Sequence, residues 1–256
     1  MSRAGFALIT VLWLITALGA AVALELGSVQ LGNRVSTNRL LLSRGRWGAE
    51  GCLAIVQARW PQQRLSDTAT IDLGRGTRCA WAITDPTARI NVNTTDAEQL
   101  RAAGWIETSV RALMEARRQT PFESVQQLSE LPGYDSTLVP LVTVLGPGTI
   151  NVSAAPRRVL LALPGMTPEA VDYLLYRRSV ERAVTNLDEL ISVVSPASQA
   201  SLMNRYADLA RLTTFAAPVL IVRAVGWVEG FAPRANIEVA AVPLPERLAV
   251  VMRRMW

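Results

Sequence analysis

Residues 6–24 read FALITVLWLITALGAAVAL and contain no charged side chain. A helix rises about 1.5 Å per residue, so a helix over this range is about 28 Å long, close to the thickness of a bilayer core. The stretch therefore predicts one membrane-spanning helix. A cleavable secretory signal is the alternative, because the small residues of 19–23, GAAVA, offer a site for a signal peptidase.

The apolar pattern continues beyond the predicted span. Leucine and valine recur at helical spacing from Leu26 to Val56, and no proline occurs before Pro61. An apolar run that continues into an amphipathic one is not typical of a secretory signal. We therefore predict one long helix over residues 6–60, with residues 6–24 in the membrane.

Short extended segments flank a central region of different character. Residues 68–73 and 77–85 read as a hairpin around Gly74-Arg75-Gly76, and strand signals return in 219–228, 236–242 and 248–252. Two strands alone do not make a stable sheet, so the two groups of strands are expected to pair. The ranges 61–92 and 213–256 are thus predicted to form one antiparallel sheet domain, into which residues 93–212 are inserted.

The insertion is rich in helix-start signals. Thr95 with Glu98, and Thr120 with Glu123, fit the capping box. Several prolines stand where a first helical residue is expected, namely Pro121, Pro156, Pro168 and Pro196. We predict an all-α domain of short helices, and an α+β chain as a whole.

An internal repeat runs through the insertion. The stretch 90–93, INVN, returns as INVS at 150–153, and the turns 131–133 and 163–165 both read LPG. The two halves resemble helix-hairpin-helix, or SAM-like, repeats, which often hold a DNA backbone through glycine amides. The second hairpin glycine is missing, because Asp135 and Thr167 occupy its place. A structural role is therefore favoured, and the paired arginines 117–118, 157–158 and 177–178 are expected to be solvated.

Composition excludes most enzymatic chemistry. The chain has no histidine, so histidine bases and Ser-His-Asp triads are impossible, and the sequence has no phosphate loop or metal cluster. We predict no catalytic residues. All 26 basic residues are arginines, set against 21 acidic residues and interspersed with them, so no nucleic-acid partner is expected. A disulfide between Cys52 and Cys79 is permitted if that part of the chain is extracytoplasmic.

The segment before the predicted span resembles a type IV prepilin leader. It reads MSRAG, carries Arg3, and ends in Gly5 directly before the aromatic Phe6. The resemblance implies a leader over residues 1–5, cleavage by a prepilin peptidase after Gly5 and methylation of Phe6. It also implies an assembly helix that includes Phe6, Leu8 and Gly19. Thr10 departs from the family, because most pilins have a glutamate there.

The whole chain resembles the minor pseudopilin K family of type II secretion, also called general secretion pathway protein K. The features that carry the resemblance are the leader junction, the stretch 85–93 (DPTARINVN), its repeat at 150–153 and the absent glutamate at Thr10. The resemblance implies a pilin-like fold at the tip of a pseudopilus, with minor pseudopilins of the H, I and J type as partners. It also implies a single-pass inner-membrane protein with a cytoplasmic N-terminus and a periplasmic globular domain.

Calcium is a possible cofactor by the same resemblance. The loop acids Asp135, Glu130 and Asp188 do not form a recognisable ligand run, so no metal ligand is predicted. Two other functions stay open: a membrane-anchored helix-hairpin-helix protein for DNA uptake, and a minor pilin of a type IV pilus.

Overall fold

The computed structural model describes residues 3–60 and 68–256. The chain is α+β, as predicted: a long N-terminal helix, α1 (Arg3–Arg59), packs against an antiparallel sheet that carries a large helical insertion. The helix starts upstream of the predicted first residue, Phe6, and ends one residue before the predicted limit. Pro61, the expected helix breaker, lies outside the described residues.

The sheet has five strands: β1 (Thr68–Asp72), β2 (Thr77–Thr84), β7 (Leu220–Val228), β8 (Arg234–Pro243) and β9 (Leu248–Met255). They lie in that order, and each pairs antiparallel with its neighbour. Strands β2 and β7 are adjacent although they are far apart in sequence, so the intervening chain is inserted between two neighbouring strands. The predicted hairpin is confirmed, because Gly74, Arg75 and Gly76 all have positive φ and Leu73 N–H donates to the Thr77 carbonyl at 2.9 Å.

Three glycines bring α1 into backbone contact with β7. A methyl group on Gly226 would lie 2.0 Å from the Gly45 carbonyl oxygen and 2.3 Å from the Ala49 nitrogen. Gly48 faces the same strand, where an added carbon would lie 3.5 Å from Gly226 Cα. Only residues without a side chain allow a helix to come so close to a strand. These glycines therefore fix where the sheet sits along the helix.

The last part of α1 supplies one side of the core between helix and sheet. Leu53 and Val56 are buried, and they pack against the sheet face that carries Trp81, Val222 and Ile237. The pattern follows from strand geometry, because alternate residues of a strand share a face. No other part of the chain within the described ranges packs in this way on the opposite, exposed side of α1.

The insertion consists of two consecutive units of the same plan. The first is bounded by β3 (Ile90–Asn91) and β4 (Val142–Thr143), and the second by β5 (Ile150–Asn151) and β6 (Thr213–Thr214); in each unit the two bounding strands pair in parallel. The helices of the first unit are α2 (Ala97–Ala102), α3 (Glu107–Gln119) and the 3-10 helices Val125–Glu130 and Ser136–Leu141. Those of the second are α4 (Arg157–Leu161), α5 (Pro168–Ser179), α6 (Leu187–Val193), α7 (Pro196–Asn204) and α8 (Tyr206–Leu212).

Two predicted helix starts are wrong by one to four residues. Asp96, not Thr95, caps α2 and accepts the Gln99 amide at 2.7 Å, while the Thr95 hydroxyl donates to the Gln99 side chain. Thr120 is the residue at which α3 ends, and the capping box that follows is formed by Ser124 and Gln127. A carboxylate is a stronger acceptor for helix amides than a hydroxyl, which explains the shift to Asp96.

The predicted prolines divide in the same way. Pro168 and Pro196 are first helical residues, as expected. Pro156 stands one position earlier, as the N-cap of α4, and Pro121 lies outside any helix.

The insertion has its own hydrophobic core, which is separate from the core under the sheet. It is formed by buried residues that include Leu100, Leu113 and Leu160.

Candidate assembly interface

From Val11 to Leu42, α1 carries large apolar side chains that the described part of the chain leaves exposed. Trp13 is 71% exposed and Leu24 is 77% exposed, and large apolar side chains remain exposed as far as Leu42. By length and composition, the helix is able to cross a membrane, and its apolar window is not covered by any other described part of the chain. An apolar surface of this size requires lipid or protein around it.

Two sides of α1 carry the apolar residues beyond the span. Val35 and Leu42 follow the same seven-residue spacing as Ala49 and Val56, which are buried against the sheet. Trp47 precedes Ala49 by two residues, so at 100° per residue it points about 160° away from Ala49. Leu40 lies one heptad before Trp47 and is 55% exposed. The helix can therefore contact neighbours on both its sides.

The predicted processing and assembly residues all lie on this helix. Gly5, Phe6, Leu8 and Thr10 belong to α1, and their side chains are outside the described part of the structure. Gly19 is exposed, and a methyl group placed there would meet no atom within 4 Å. Cleavage after Gly5, methylation of Phe6 and the assembly roles of these residues remain predictions.

Among the described residues, a disulfide and two polar contacts link the end of α1, or the residue just after it, to the head. Cys52 of α1 and Cys79 of β2 form a disulfide. Glu50 forms an ion pair with Arg253 of β9, and the Trp60 indole donates to the Leu244 carbonyl at 2.6 Å. These links hold the sheet to the helix at positions that range from Glu50 to Trp60.

Each unit of the insertion begins with an asparagine turn. The Asn91 side-chain oxygen accepts the Asn93 amide at 2.9 Å, and the Asn151 oxygen accepts the Ser153 amide at 3.0 Å. The Asn91 amide group donates to the Gly146 carbonyl, whereas that of Asn151 donates to the Asp85 carboxylate at 2.7 Å. The second turn thus ties the insertion to the point where the chain leaves the sheet.

An arginine from the second α-helix of the same unit, α3 or α5, holds each of these turns. Arg117 donates to the Val92 carbonyl at 3.0 Å and also to Thr95, while Arg178 donates to Val152 and Ala155 at 3.0 and 2.9 Å. Burial lowers the pKa of both guanidinium groups. The prediction that all paired arginines are solvated is wrong for these two. They bind carbonyl groups of their own unit, so they are not phosphate clamps.

The two LPG turns, 131–133 and 163–165, are not equivalent in the structure, contrary to the prediction. Gly165 lies between α4 and α5, and its counterpart between α2 and α3 is Gly104, which also has positive φ. Gly133, in the other LPG turn, follows a later 3-10 helix and packs against α3, where Ser109 donates to its carbonyl at 2.7 Å. The repeat predicted from 90–93 and 150–153 is confirmed, because these stretches open the two units, and only the equivalence of the two LPG turns is wrong.

The LPG turns have few amides to offer a phosphate. Pro132 and Pro164 have no N–H, and the amides of Tyr134 and Met166 donate to the carbonyls of the leucines that open each turn. Gly165 faces α7, because an added carbon there would lie 2.8 Å from the Ser201 carbonyl. These contacts favour the structural role of the hairpins over DNA binding.

Two of the acids considered as calcium ligands, Asp135 and Asp188, accept hydrogen bonds from nearby residues. The Asp135 carboxylate caps the 3-10 helix Ser136–Leu141, and hydrogen bonds from the hydroxyl and amide of Thr137 lower its pKa. Asp188 accepts the Tyr206 hydroxyl at 3.2 Å. Among the described residues, no three His, Cys, Asp or Glu side chains are grouped for a metal ion. Calcium binding stays a prediction without an assigned site.

A comparison with solved structures decides the fold class. The chain superposes on a component of the GspK-GspI-GspJ complex of the type 2 secretion system from enterotoxigenic Escherichia coli, with a TM-score of 0.61. The match covers 86% of this chain and 99% of the other, at 13% identity. The fold is pilin-like. Neither a protein-family profile nor a curated protein matches the sequence.

Proposed function

We propose that this protein is a minor pseudopilin of a type II secretion system, located at the tip of the pseudopilus. The observation that carries the proposal is the exposed apolar helix α1 joined to a pilin-like sheet with a bulky insertion. The fold match to a component of a type 2 secretion complex supports it. The role is structural: the subunit assembles with others and performs no chemistry.

Assembly follows from the surface of α1. A helix with this many exposed apolar side chains can leave the bilayer only by packing against similar helices, and small residues such as Gly19 and Ala20 allow close packing. The proposed partners are minor pseudopilins of the H, I and J type. A prepilin peptidase would first cleave after Gly5 and methylate Phe6. The helix then spans the inner membrane with its N-terminus in the cytoplasm and the head in the periplasm.

Thr10 supports a position at the tip. In pilin-like filaments a glutamate at this point meets the N-terminal amine of a neighbouring subunit, and a terminal subunit has no such neighbour above it. A carboxylate without that partner is expensive in a membrane. A threonine hydroxyl can instead donate to a carbonyl one turn back, as Thr16 does to Leu12 at 2.7 Å. Thr10 therefore suits a subunit that ends the filament.

The insertion supplies the bulk that a cap requires. It leaves the sheet after Thr84 and returns before Leu220, and Thr84 pairs directly with Ile221. Because the two ends are adjacent strands, a short turn can replace residues 86–218 without lengthening the strand connection. Such a variant should keep the helix and sheet while losing the cap.

Filament length tests the capping role. The variant with residues 86–218 replaced is compared with the full chain in cells that overproduce the major pseudopilin, with membrane levels matched by immunoblotting. We expect longer or more variable filaments by immunoelectron microscopy. The control is a chain in which only the exposed segment 181–183 is replaced by glycines. If filament length is the same for all three chains, the capping role is wrong.

A further inference from the structure

A groove lies between α1 and the β1–β2 hairpin, on the edge of the head. Its volume is about 490 Å³, and Trp47, Leu73, Arg44 and Arg75 contribute the side chains that shape it. We call it the Trp47 groove. Gly48 and Gly74 form part of its lining, so the groove is open to solvent next to the backbone.

Trp47 is unusual for its exposure. It is 76% exposed, whereas its neighbours Gly48 and Ala49 are buried against the sheet. Leu73, across the groove, is 40% exposed. Large apolar side chains grouped at a surface mark interaction sites, and tryptophan is enriched among the residues that dominate binding energy. The groove therefore has an apolar anchor point without a partner in the described part of the chain.

Two arginines give the groove a positive charge. Among the described residues, neither Arg44 nor Arg75 lies within ion-pair distance of a carboxylate. The acid that lies closest in sequence to the turn, Asp72, already accepts the Gly74 amide at 2.7 Å and lies 4.0 Å from Arg78. A partner that supplies carboxylates would therefore complement the charge of the groove.

Arg75 has an unusual backbone conformation for a residue with a side chain. Its φ of 53° lies in the left-handed region, where glycine or asparagine is the usual residue, and it stands between Gly74 and Gly76, which also have positive φ. Side chains held in such a conformation cluster at functional sites. The turn therefore holds an arginine at a position where glycine would be less strained, and the arginine lines the groove beside the helix.

We propose that the Trp47 groove receives an acidic segment of a neighbouring pilin-like subunit, which places carboxylates on Arg44 and Arg75 and an apolar side chain on Trp47. This inference rests on the proposed function. Trp47 continues the side of α1 that carries Leu40 and points away from the chain's own sheet, so the groove lies at the end of the surface where neighbouring helices pack. Arginine pairs with carboxylates through strong, oriented hydrogen bonds.

A lipid headgroup does not fit the position. Trp47 follows Leu24, the end of the apolar span, by about 35 Å of helix at 1.5 Å per residue. The headgroup layer extends only about 5–8 Å beyond the hydrocarbon core on each side. An anionic lipid therefore cannot reach the groove when α1 stands across the membrane, and a protein segment can.

Site-specific crosslinking in membranes tests the inference. A photoreactive phenylalanine derivative replaces Trp47 in the full-length chain, which is expressed with the other minor pseudopilins of its source organism. Crosslinked peptides are then identified by mass spectrometry. We expect an adduct with an acidic stretch of one minor pseudopilin, and the double charge reversal Arg44→Glu with Arg75→Glu should reduce its yield at least tenfold. The matched control, Arg247→Glu with Arg254→Glu, changes net charge equally and should alter the yield less than twofold.

The outcomes separate the inference from the function on which it rests. If the pseudopilins co-purify with the wild-type chain but the adduct is absent, or survives the Arg44 and Arg75 reversals, the groove is not the contact and the proposed function stands. An adduct with phospholipid or with nucleic acid also overturns the inference. If no minor pseudopilin co-purifies with the wild-type chain at all, the proposed function itself fails.

Discussion

Replacing Gly226 with alanine should separate the sheet from α1. The added methyl carbon would lie 2.0 Å from the Gly45 oxygen and 2.3 Å from the Ala49 nitrogen, where ordinary contacts begin at 3.4 Å. Both atoms belong to the helix backbone, so no side chain can turn aside to make room. The sheet must therefore move away by more than ~1 Å, a gap at which packed atoms lose about a quarter to a half of their dispersion attraction.

The size of the effect follows from the side chains that this movement uncovers. Leu53 and Val56 are buried between helix and sheet, and full burial of each stabilises the fold by about 1.5–3 kcal/mol. Loss of part of that burial, together with the cost of overpacking, gives a destabilisation of about 3 kcal/mol. For a chain of this size the midpoint of thermal unfolding should fall by about 6–12 °C.

Circular dichroism of the full-length protein in detergent measures the change, with the near-ultraviolet signal reporting the packing of Trp81. Gly51→Ala is the matched control, because the carbon added there meets only the end of the Leu73 side chain at 3.3 Å. That variant should unfold within about 1 kcal/mol of the wild-type chain. A Gly226→Ala protein as stable as the wild type would refute the assignment of these glycines to a close backbone contact.

Three further changes test other parts of the structure. Reduction of the disulfide, or Cys52→Ser with Cys79→Ser, should lower the free energy of unfolding by about 3.5 kcal/mol, which is the loop-closure value for a separation of 27 residues. Equal stability in denaturant titrations with and without reductant would contradict this. Arg117→Met should lower the free energy of unfolding by about 2–4 kcal/mol, because buried carbonyl groups lose their hydrogen-bond donor. Arg118 is an exposed neighbour, and Arg118→Met should lower that free energy by less than about 0.5 kcal/mol. Equal unfolding midpoints for the two variants would refute the difference. Hydrogen bonds from Ser195, and then from Ser198, hold the pKa of Glu169 below its ordinary value of 4.5. The carboxylate therefore stabilises the fold above that pH, and its contribution is lost as the pH falls through and below 4.5. Glu169→Gln should flatten the fall in melting temperature between pH 5 and pH 3, and an unchanged slope would refute this prediction.

The helix, the hairpin and the sheet could be predicted because their signals are local. The uncharged run 6–24 and the apolar spacing that follows it indicate one helix, and Gly74-Arg75-Gly76 marks a turn. The later strands are also correct to within two or three residues, as the observed β7, Leu220–Val228, shows. Periodicity and turn chemistry carry this information without knowledge of contacts.

The contacts inside the insertion could not be predicted from the same signals. Neighbouring arginines look alike in sequence, yet successive residues of a helix point about 100° apart, so Arg117 faces inward while Arg118 stays exposed. Nothing in the sequence shows that carbonyls of residues 92 and 95 will lie before that guanidinium. The INVN and INVS stretches mark the two units correctly, but the two LPG turns are not equivalent, because Gly165 corresponds to Gly104, whose flanking residues differ.

The contact between Gly226 and α1 was equally hidden. A glycine within a strand indicates a bulge or a close approach of another backbone, but sequence does not say which. The partner glycines, Gly45 and Gly48, lie far earlier in the chain and sit in a helix, where they look like weak points. Only the packed structure shows that the three residues form one contact.

The N-terminus of the native protein tests the central claim most directly. Intact mass and N-terminal sequencing are measured on protein recovered from membranes of the source organism. The proposed function predicts a chain that begins at Phe6 with a methylated amine, the product of a prepilin peptidase acting after Gly5. A chain that begins at Met1, or that has lost residues 1–23 to a signal peptidase, would contradict the assignment to a pilin-like machine.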